Sequence, residues 1–435
     1  MVSLAFLKGR GRLLSSISGG IVDAGFGSLG TFAVGVYAAR YLEPSSLGAY
    51  ALFFSVYTLL VVFASEGVLV PAEARAVSRP VPARRHVSRQ AVPLAAVTGL
   101  LFAPAVVVAA LLVPDSVPSS VTTPLAITTA AAVIVAPLQE HVRRVAHLSD
   151  ISWRGTATSL VQFTMIIGSL VVMSLLDVAT PWVPFGALAI STVVSLCFGL
   201  VLNARGGTGE LGMRLQPLDL IRSGKWLVTA AFARSGSMFA ASVLIAHLAS
   251  PEALGYAEAA RIIGRPVLVL AMGLEAVLGP RSVQAGANLD AARARRISWG
   301  FFGILLVVAV PYLLILGWDW PWNPAVAVIP TAYVIAWLVP VQITADALGG
   351  AIVPYRMELI GARREVGLVP PEALGGGFQA AMGATSGVTG AFARPLGAVA
   401  LRLTQIVGYR RSLQRIYRGS SRASETPAEY AGESR

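Results

Sequence analysis

Charge is what this chain has least of. Only 13% of its 435 residues are Asp, Glu, Lys or Arg, against about 25% in a soluble domain. By contrast 55% are hydrophobic and the mean hydropathy is +0.70. That balance excludes a water-soluble globule and predicts an integral membrane protein. Cysteine is nearly absent: Cys197 stands alone inside an apolar run, so no intrachain disulfide can form. The four histidines, His86, His141, His147 and His247, have no metal-ligand spacing. No Gly-rich loop ends in Gly-Lys-Ser/Thr, and no hydrolase triad stands out. These gaps point away from metal, nucleotide and hydrolytic chemistry. Lysine is missing too, with Lys8 and Lys225 alone among 34 basic residues, and the net charge is +12. The arginines fall mostly in short gaps between apolar runs, which reads as a positive-inside bias rather than a nucleic-acid surface.

What is present is an all-α, polytopic pattern. The length suits about twelve spans of ~20 residues, expected near Ser16–Ala39, Ser46–Val70, Ala91–Val113, Val117 or Pro124 to Leu138, Thr156–Leu176, Val183–Leu202, Trp226–Leu248, Pro251–Pro280, Trp299–Leu316, Ala325–Asp346, Val366–Thr385 and Val388–Val407. The first run is span-length and lacks a cleavage-site pattern. The tryptophans of Gly317-Trp-Asp-Trp-Pro-Trp-Asn-Pro324 read as an interfacial belt. The domain plan is an interfacial N-terminus (1–15), a six-helix bundle (16–205), a polar linker (206–225), a second six-helix bundle (226–409) and a basic tail (410–435) ending in a disordered stretch. Arginine clusters follow every second span, so the N-terminus, those loops and the C-terminus are expected on the cytoplasmic side of a bacterial plasma membrane.

The two bundles share a repeat. Pro44-x-x-Leu47-Gly48 opens the second span and Pro251-x-x-Leu254-Gly255 the eighth; the two spans close on Glu66-Gly-Val-Leu-Val-Pro71 and Glu275-Ala-Val-Leu-Gly-Pro280. Two halves that start on the same side are related by a pseudo-two-fold axis along the membrane normal, with substrate sites where they meet.

Together with the loop Leu138-Gln-Glu-His-Val-Arg-Arg144 and the glycine-rich Gly387-Val-Thr-Gly-Ala391, this layout resembles the polysaccharide-exporter branch of the multidrug/oligosaccharidyl-lipid/polysaccharide flippase superfamily. It looks like the O-antigen-type flippases in particular. The similarity covers roughly Ser16 to Arg415; the diluted eleventh span and the segment Asp346–Glu365 depart from it. The resemblance implies a V-shaped pair of bundles that turns a lipid-linked oligosaccharide, on undecaprenyl pyrophosphate, to the outer leaflet for cell-surface polysaccharide synthesis. It implies no cofactor and no ATP hydrolysis, with coupling to H+, Na+ or the membrane potential. Membrane lipids, a polysaccharide polymerase and glycosyltransferases are the expected partners. The alternative is a cation-coupled exporter of small amphipathic compounds with the same fold. A membrane glycan polymerase or ligase fits less well, because the outward loops are too short to carry its chemistry.

The candidate site rests on charges inside spans. Glu258, Arg261 and Arg265 are spaced i, i+3 and i+7 in the eighth span, within about 60° of arc on one face. Such charges are costly unless they face a cavity or a partner. Two arginines on one stripe suit a pyrophosphate; equally, Glu258 neutralises Arg261 and one base pairs elsewhere. Asp23 and Arg234 hold matching depths in the first and seventh spans and are expected either to bridge the halves or to be neutralised without a gating role, with Asp23 alternatively a protonatable carboxylate. Glu66 and Glu275 are expected either in a gate, with Arg75 and Arg281 as partners, or in a plain interfacial role, and Pro266 as a kink in the eighth span. Arg394 and Arg402 either snorkel or line the lumen.

Overall fold

The computed structural model describes residues 2–77, 86, 90–149, 151–204, 217–317, 320, 322–335 and 337–425. The arginine-rich stretch at 78–85 and 87–89, linker residues 205–216, Trp318 and tail residues 426–435 lie outside the described residues, as does the side chain of Arg75. Among the described residues, twelve long helical segments follow one another. They are α1 (Val2–Tyr41), α2 (Pro44–Ala64, continuing through a π-turn at Ser65–Leu69 into Val70–Val77), α3 (Val92–Leu111), α4 (Ser119–Leu148), α5 (Ser152–Leu175) and α6 (Val183–Ala204). The second set is α7 (Pro217–Ala231, through a π-turn at Phe232–Gly236 into Ser237–Leu248), α8 (Pro251–Ala287), α9 (Ala291–Leu316), α10 (Leu338–Ala351 with Val353–Gly361), α11 (Val369–Ala384) and α12 (Ala393–Glu425). Among the described residues, nine of these are long and apolar enough to cross a membrane, and α8 makes ten if its two arms count as one span. α11 is too short, and α12 carries too much arginine, to qualify by those measures alone. α1–α6 and α7–α12 pack as two bundles, with α2 laid along α8, α1 against α8 and α7 against α2. This is the all-helical, multi-pass membrane fold that the composition predicts.

The repeat has a physical meaning at each end. Pro44 and Pro251 occupy the first turns of their helices, where the missing N–H costs nothing, and Ser250 caps α8 by accepting from the Ala253 N–H at 3.1 Å. Three residues on, the buried leucines Leu47 and Leu254 and the two glycines bring the helix starts together. A Cβ on Gly48 would fall 2.0 Å from the Pro251 carbonyl oxygen, and one on Gly255 2.1 Å from that of Pro44. The contact is reciprocal, as a two-fold relation requires. Gly255→Ala is therefore expected to lever α2 from α8 and to destabilise the protein by about 1–3 kcal/mol. Thermal unfolding in detergent checks this, and an unchanged midpoint refutes the close approach.

At the other end, Pro71 and Pro280 deny an N–H to the carbonyls of Gly67 and Ala276 four residues earlier. The helix answers with a π-turn at Ser65–Leu69 in α2 and a 53° bend between Pro251–Glu275 and Val277–Ala287 in α8. The sharp break in α8 falls at Ala276, and the Pro251–Glu275 arm continues through Pro266. One residue on from the Ile262 carbonyl that Pro266 leaves without its N–H, the Tyr312 hydroxyl donates to the Ile263 carbonyl at 2.6 Å.

Several boundaries differ from expectation. α1 runs on from Val2 with no break at Ser16. α4 continues past Leu138 to Leu148, so Glu140, Arg143 and Arg144 lie on a helix rather than in a loop. Most of the basic segment Arg281–Arg296 is likewise helical, shared by the end of α8 and the start of α9, where Asp290 caps by accepting from the Arg293 N–H. α10 starts at Leu338, not Ala325: Pro330 holds Ile329 extended, and the turn Ala325–Val328 and a 3-10 turn at Thr331–Tyr333 precede it. α12 begins at Ala393, after a turn through Gly390 at φ 55°. The prolines that dilute the eleventh span, Pro370 and Pro371, fall in the first turn of α11, where a helix accepts them.

Candidate functional site

A cavity of about 1060 Å³ reaches from mid-height to the arginine-rich end of the bundle. Its walls come from α1, α2, α4, α5 and α6 of the first half and from α8 of the second, with Arg293 of α9 at the mouth. Above it, toward the Pro-x-x-Leu-Gly crossing, the rings of Tyr50, Phe54, Tyr57 and Phe185 pack within 5.2–6.4 Å of one another, and Tyr57 reaches the cavity itself.

One wall is a polar network built on α4. Glu140, Arg143, Arg144 and His147 follow i, i+3, i+4 and i+7 and so share a face. Arg143 donates to Asp23 of α1 at 2.5 Å and to Glu140. Arg144 donates to Glu140 at 2.6 Å, to Glu73 at 3.2 Å and to the Ser65 hydroxyl at 3.1 Å. Asp23, 4% exposed, also accepts from the Ser159 hydroxyl of α5 at 2.5 Å and from His147 Nε2–H at 3.0 Å. Each carboxylate on this wall is thus saturated, and the network ties α1, α2, α4 and α5 together.

The facing wall is α8, and here the stripe divides. Glu258 is 0% exposed and does not line the cavity. It accepts from Arg261 Nε at 2.7 Å and from Arg394 of α12 at 2.7 Å, and Arg394 also reaches the Ser55 hydroxyl of α2 at 3.4 Å. Arg261 is therefore paired, sharing the one carboxylate with Arg394, and its guanidinium covers the Phe54 ring at 4.5 Å. Arg265 does line the cavity. It donates to the Thr31 carbonyl at 3.1 Å and lies 5.2 Å from the Phe54 ring centroid. Among the described residues no carboxylate lies within 4.0 Å of it. Of the three charges on this stripe, Arg265 lines the cavity while Glu258 and Arg261 do not.

The remaining candidates are placed differently from expectation. Asp23 and Arg234 do not meet. Arg234, in the π-turn of α7, lies outside the cavity and donates to Glu372 at 3.0 Å, with Glu66 4.0 Å away. Glu372 is 0% exposed and also accepts from Gln405 and from the Tyr409 hydroxyl at 2.5 Å. Glu66, in the π-turn of α2, is bound by Arg356 of α10, so it does join the halves, though through another arginine than expected. Glu275 sits at the bend of α8 and lines the cavity, as does Arg281, but among the described residues the two form no ion pair. Pro266 lies within the Pro251–Glu275 arm, away from the sharp bend of α8. Arg394 neither snorkels nor lines the cavity; it is 3% exposed and paired.

The residues missed by sequence reasoning are Glu140, His147, Ser159, Arg356 and Glu372. For the first two a signal existed in the i, i+3, i+4, i+7 spacing of charge after Leu138.

No family model and no curated protein matches the chain. The fold, however, is that of solved MATE transporters. An inward-facing conformation of a multidrug resistance MATE family transporter of the MOP superfamily superposes with a TM-score of 0.69 at 15% identity, covering 92% of this chain and 96% of that one. MATE in the straight conformation gives 0.66 at 15% identity, covering 93% and 95%. An outward-facing conformation of a multidrug resistance MATE family transporter gives 0.63 at 16% identity, covering 93% and 95%.

Proposed function

We propose that this chain is an alternating-access transporter that moves a lipid-linked oligosaccharide, carried on undecaprenyl pyrophosphate, from the inner to the outer leaflet of the bacterial plasma membrane. Both termini are then cytoplasmic, and the cavity at the arginine-rich end takes up its cargo from the inner leaflet. The fold supports the transport part, since the solved structures that share it include inward- and outward-facing conformations.

The observation that carries the substrate class is Arg265. A guanidinium at that depth costs about 3 kcal/mol or more unless something compensates it, and among the described residues its direct partners are a carbonyl and an aromatic face. A pyrophosphate supplies the missing charge in the bidentate geometry that arginine favours. Arg281 and Arg293 nearer the mouth add a field that draws an anion inward.

A second reading has its own support. The structures sharing this fold are described as multidrug resistance transporters, and Glu275 is a cavity carboxylate with no ion pair among the described residues. On that reading the cargo is a cationic amphiphile. Deleting the gene separates the two. The flippase reading expects a lipid-linked sugar to accumulate on the cytoplasmic leaflet. If no such lipid accumulates and sensitivity to cationic amphiphiles rises instead, the flippase reading is wrong.

A further inference from the structure

A second cleft, sharing no residue with the central cavity, lies between the arginine-rich ends of α9, α10 and α12 and encloses about 430 Å³. Its rim carries two guanidiniums, Arg295 of α9 and Arg410 of α12; both are exposed, and among the described residues neither has a carboxylate within 4.0 Å. Its floor is aromatic: Trp299 meets Phe302 edge-on at 6.4 Å, and Phe302 meets Tyr355 at 5.6 Å. The one carboxylate in the lining, Glu358, is 4% exposed and takes the Tyr417 hydroxyl, so it does not answer the arginines. Ser298 also lines the cleft, is 5% exposed, and makes no hydrogen bond among the described residues.

The surroundings fix the environment. Immediately above the cleft, α9 exposes Ile304 and Val307, and α12 exposes Leu403 and Val407. These apolar side chains begin about one turn from Trp299 and Arg410, so the cleft sits where lipid tails give way to headgroups. Trp299, 70% exposed, is the residue type that settles at that level.

We propose that this cleft is a binding site for an anionic phospholipid. Arg295 and Arg410 hold the phosphodiester between them, the Ser298 hydroxyl donates to one of its oxygens, and the acyl chains run over Phe302 and the exposed faces of α9 and α12. Basic pockets between helices at the headgroup level bind acidic lipids in this way, and guanidinium forks match phosphate oxygens. A zwitterionic lipid leaves one cation of the pair opposed by its own ammonium, and a free phosphate forgoes the aromatic floor and the apolar faces. The site does not depend on what the central cavity carries.

The full-length protein in neutral detergent provides the test. Phosphatidylglycerol is expected to raise the unfolding midpoint by several degrees, with phosphatidylcholine and inorganic phosphate giving less than a third of that shift. Arg295→Ala/Arg410→Ala is expected to lose most of the phosphatidylglycerol shift, while the exposed control pair Arg363→Ala/Arg364→Ala keeps it. The proposal is overturned if phosphatidylcholine or inorganic phosphate matches phosphatidylglycerol, or if the control pair loses as much as the cleft pair. Because the lipid comparison is made on the unaltered chain, it stands even if the double variant does not fold.

Discussion

Arg265→Ala is expected to abolish export while leaving the protein folded and present in the membrane. The substitution removes a cation that has no carboxylate partner among the described residues, so it strands no buried anion. What it removes from the cargo is a pair of charge-assisted hydrogen bonds, each worth about 1.5–3 kcal/mol, or roughly 100-fold or more in affinity together. Arg265→Lys is expected to restore only part of the activity. A lysine keeps the charge but loses the planar fork and the stacking on Phe54. Complementation of a flippase-deficient strain, with protein level checked in the membrane fraction, reads the result. Normal complementation by Arg265→Ala contradicts the pyrophosphate assignment.

Glu258→Ala is expected to act in the opposite manner, through stability. It leaves Arg394, 3% exposed, and Arg261 without their anion. Stripping one partner from a buried ion pair costs about 3–5 kcal/mol, because the surviving charge stays buried and uncompensated. Adding Arg394→Leu removes the worst-placed of those charges, so the double variant is expected to unfold at a higher temperature than Glu258→Ala alone. That non-additivity is the signature of direct contact. If Glu258→Ala unfolds like the unaltered protein, the triad is not what holds α8 to α12. The two substitutions lie two turns apart on one helix face, yet one is expected to silence transport and the other to weaken the fold.

That division was only half legible in the sequence. The stripe Glu258, Arg261, Arg265 could be read from helical period alone, as could the pairing of Glu258 with Arg261. The repeat also carried real geometry, since its glycines are the crossing of α2 and α8 and its prolines distort both helices at matching places. What period cannot supply is the partner from far along the chain. Glu258 meets Arg394 across 136 residues and Asp23 meets Arg143 across 120, and neither separation leaves a local trace. Without them Asp23 and Arg234 seemed natural partners by depth, although each is satisfied within its own half, by Arg143 and by Glu372. The extension of α4 was hidden for a different reason. A dense run of charge after an apolar span looks like a loop leaving the membrane, and only its i, i+3, i+4, i+7 spacing betrays one helix face turned toward a polar cavity.

The proposed transport requires that the cavity recognise a phosphate through Arg265. The direct measurement is equilibrium binding of a lipid pyrophosphate, and of the same lipid with its phosphates removed, to the purified protein and to Arg265→Ala. The expected result is a preference for the pyrophosphate of at least about 100-fold in the unaltered protein, lost in Arg265→Ala. Equal binding of the two lipids, or a preference that survives Arg265→Ala, contradicts it.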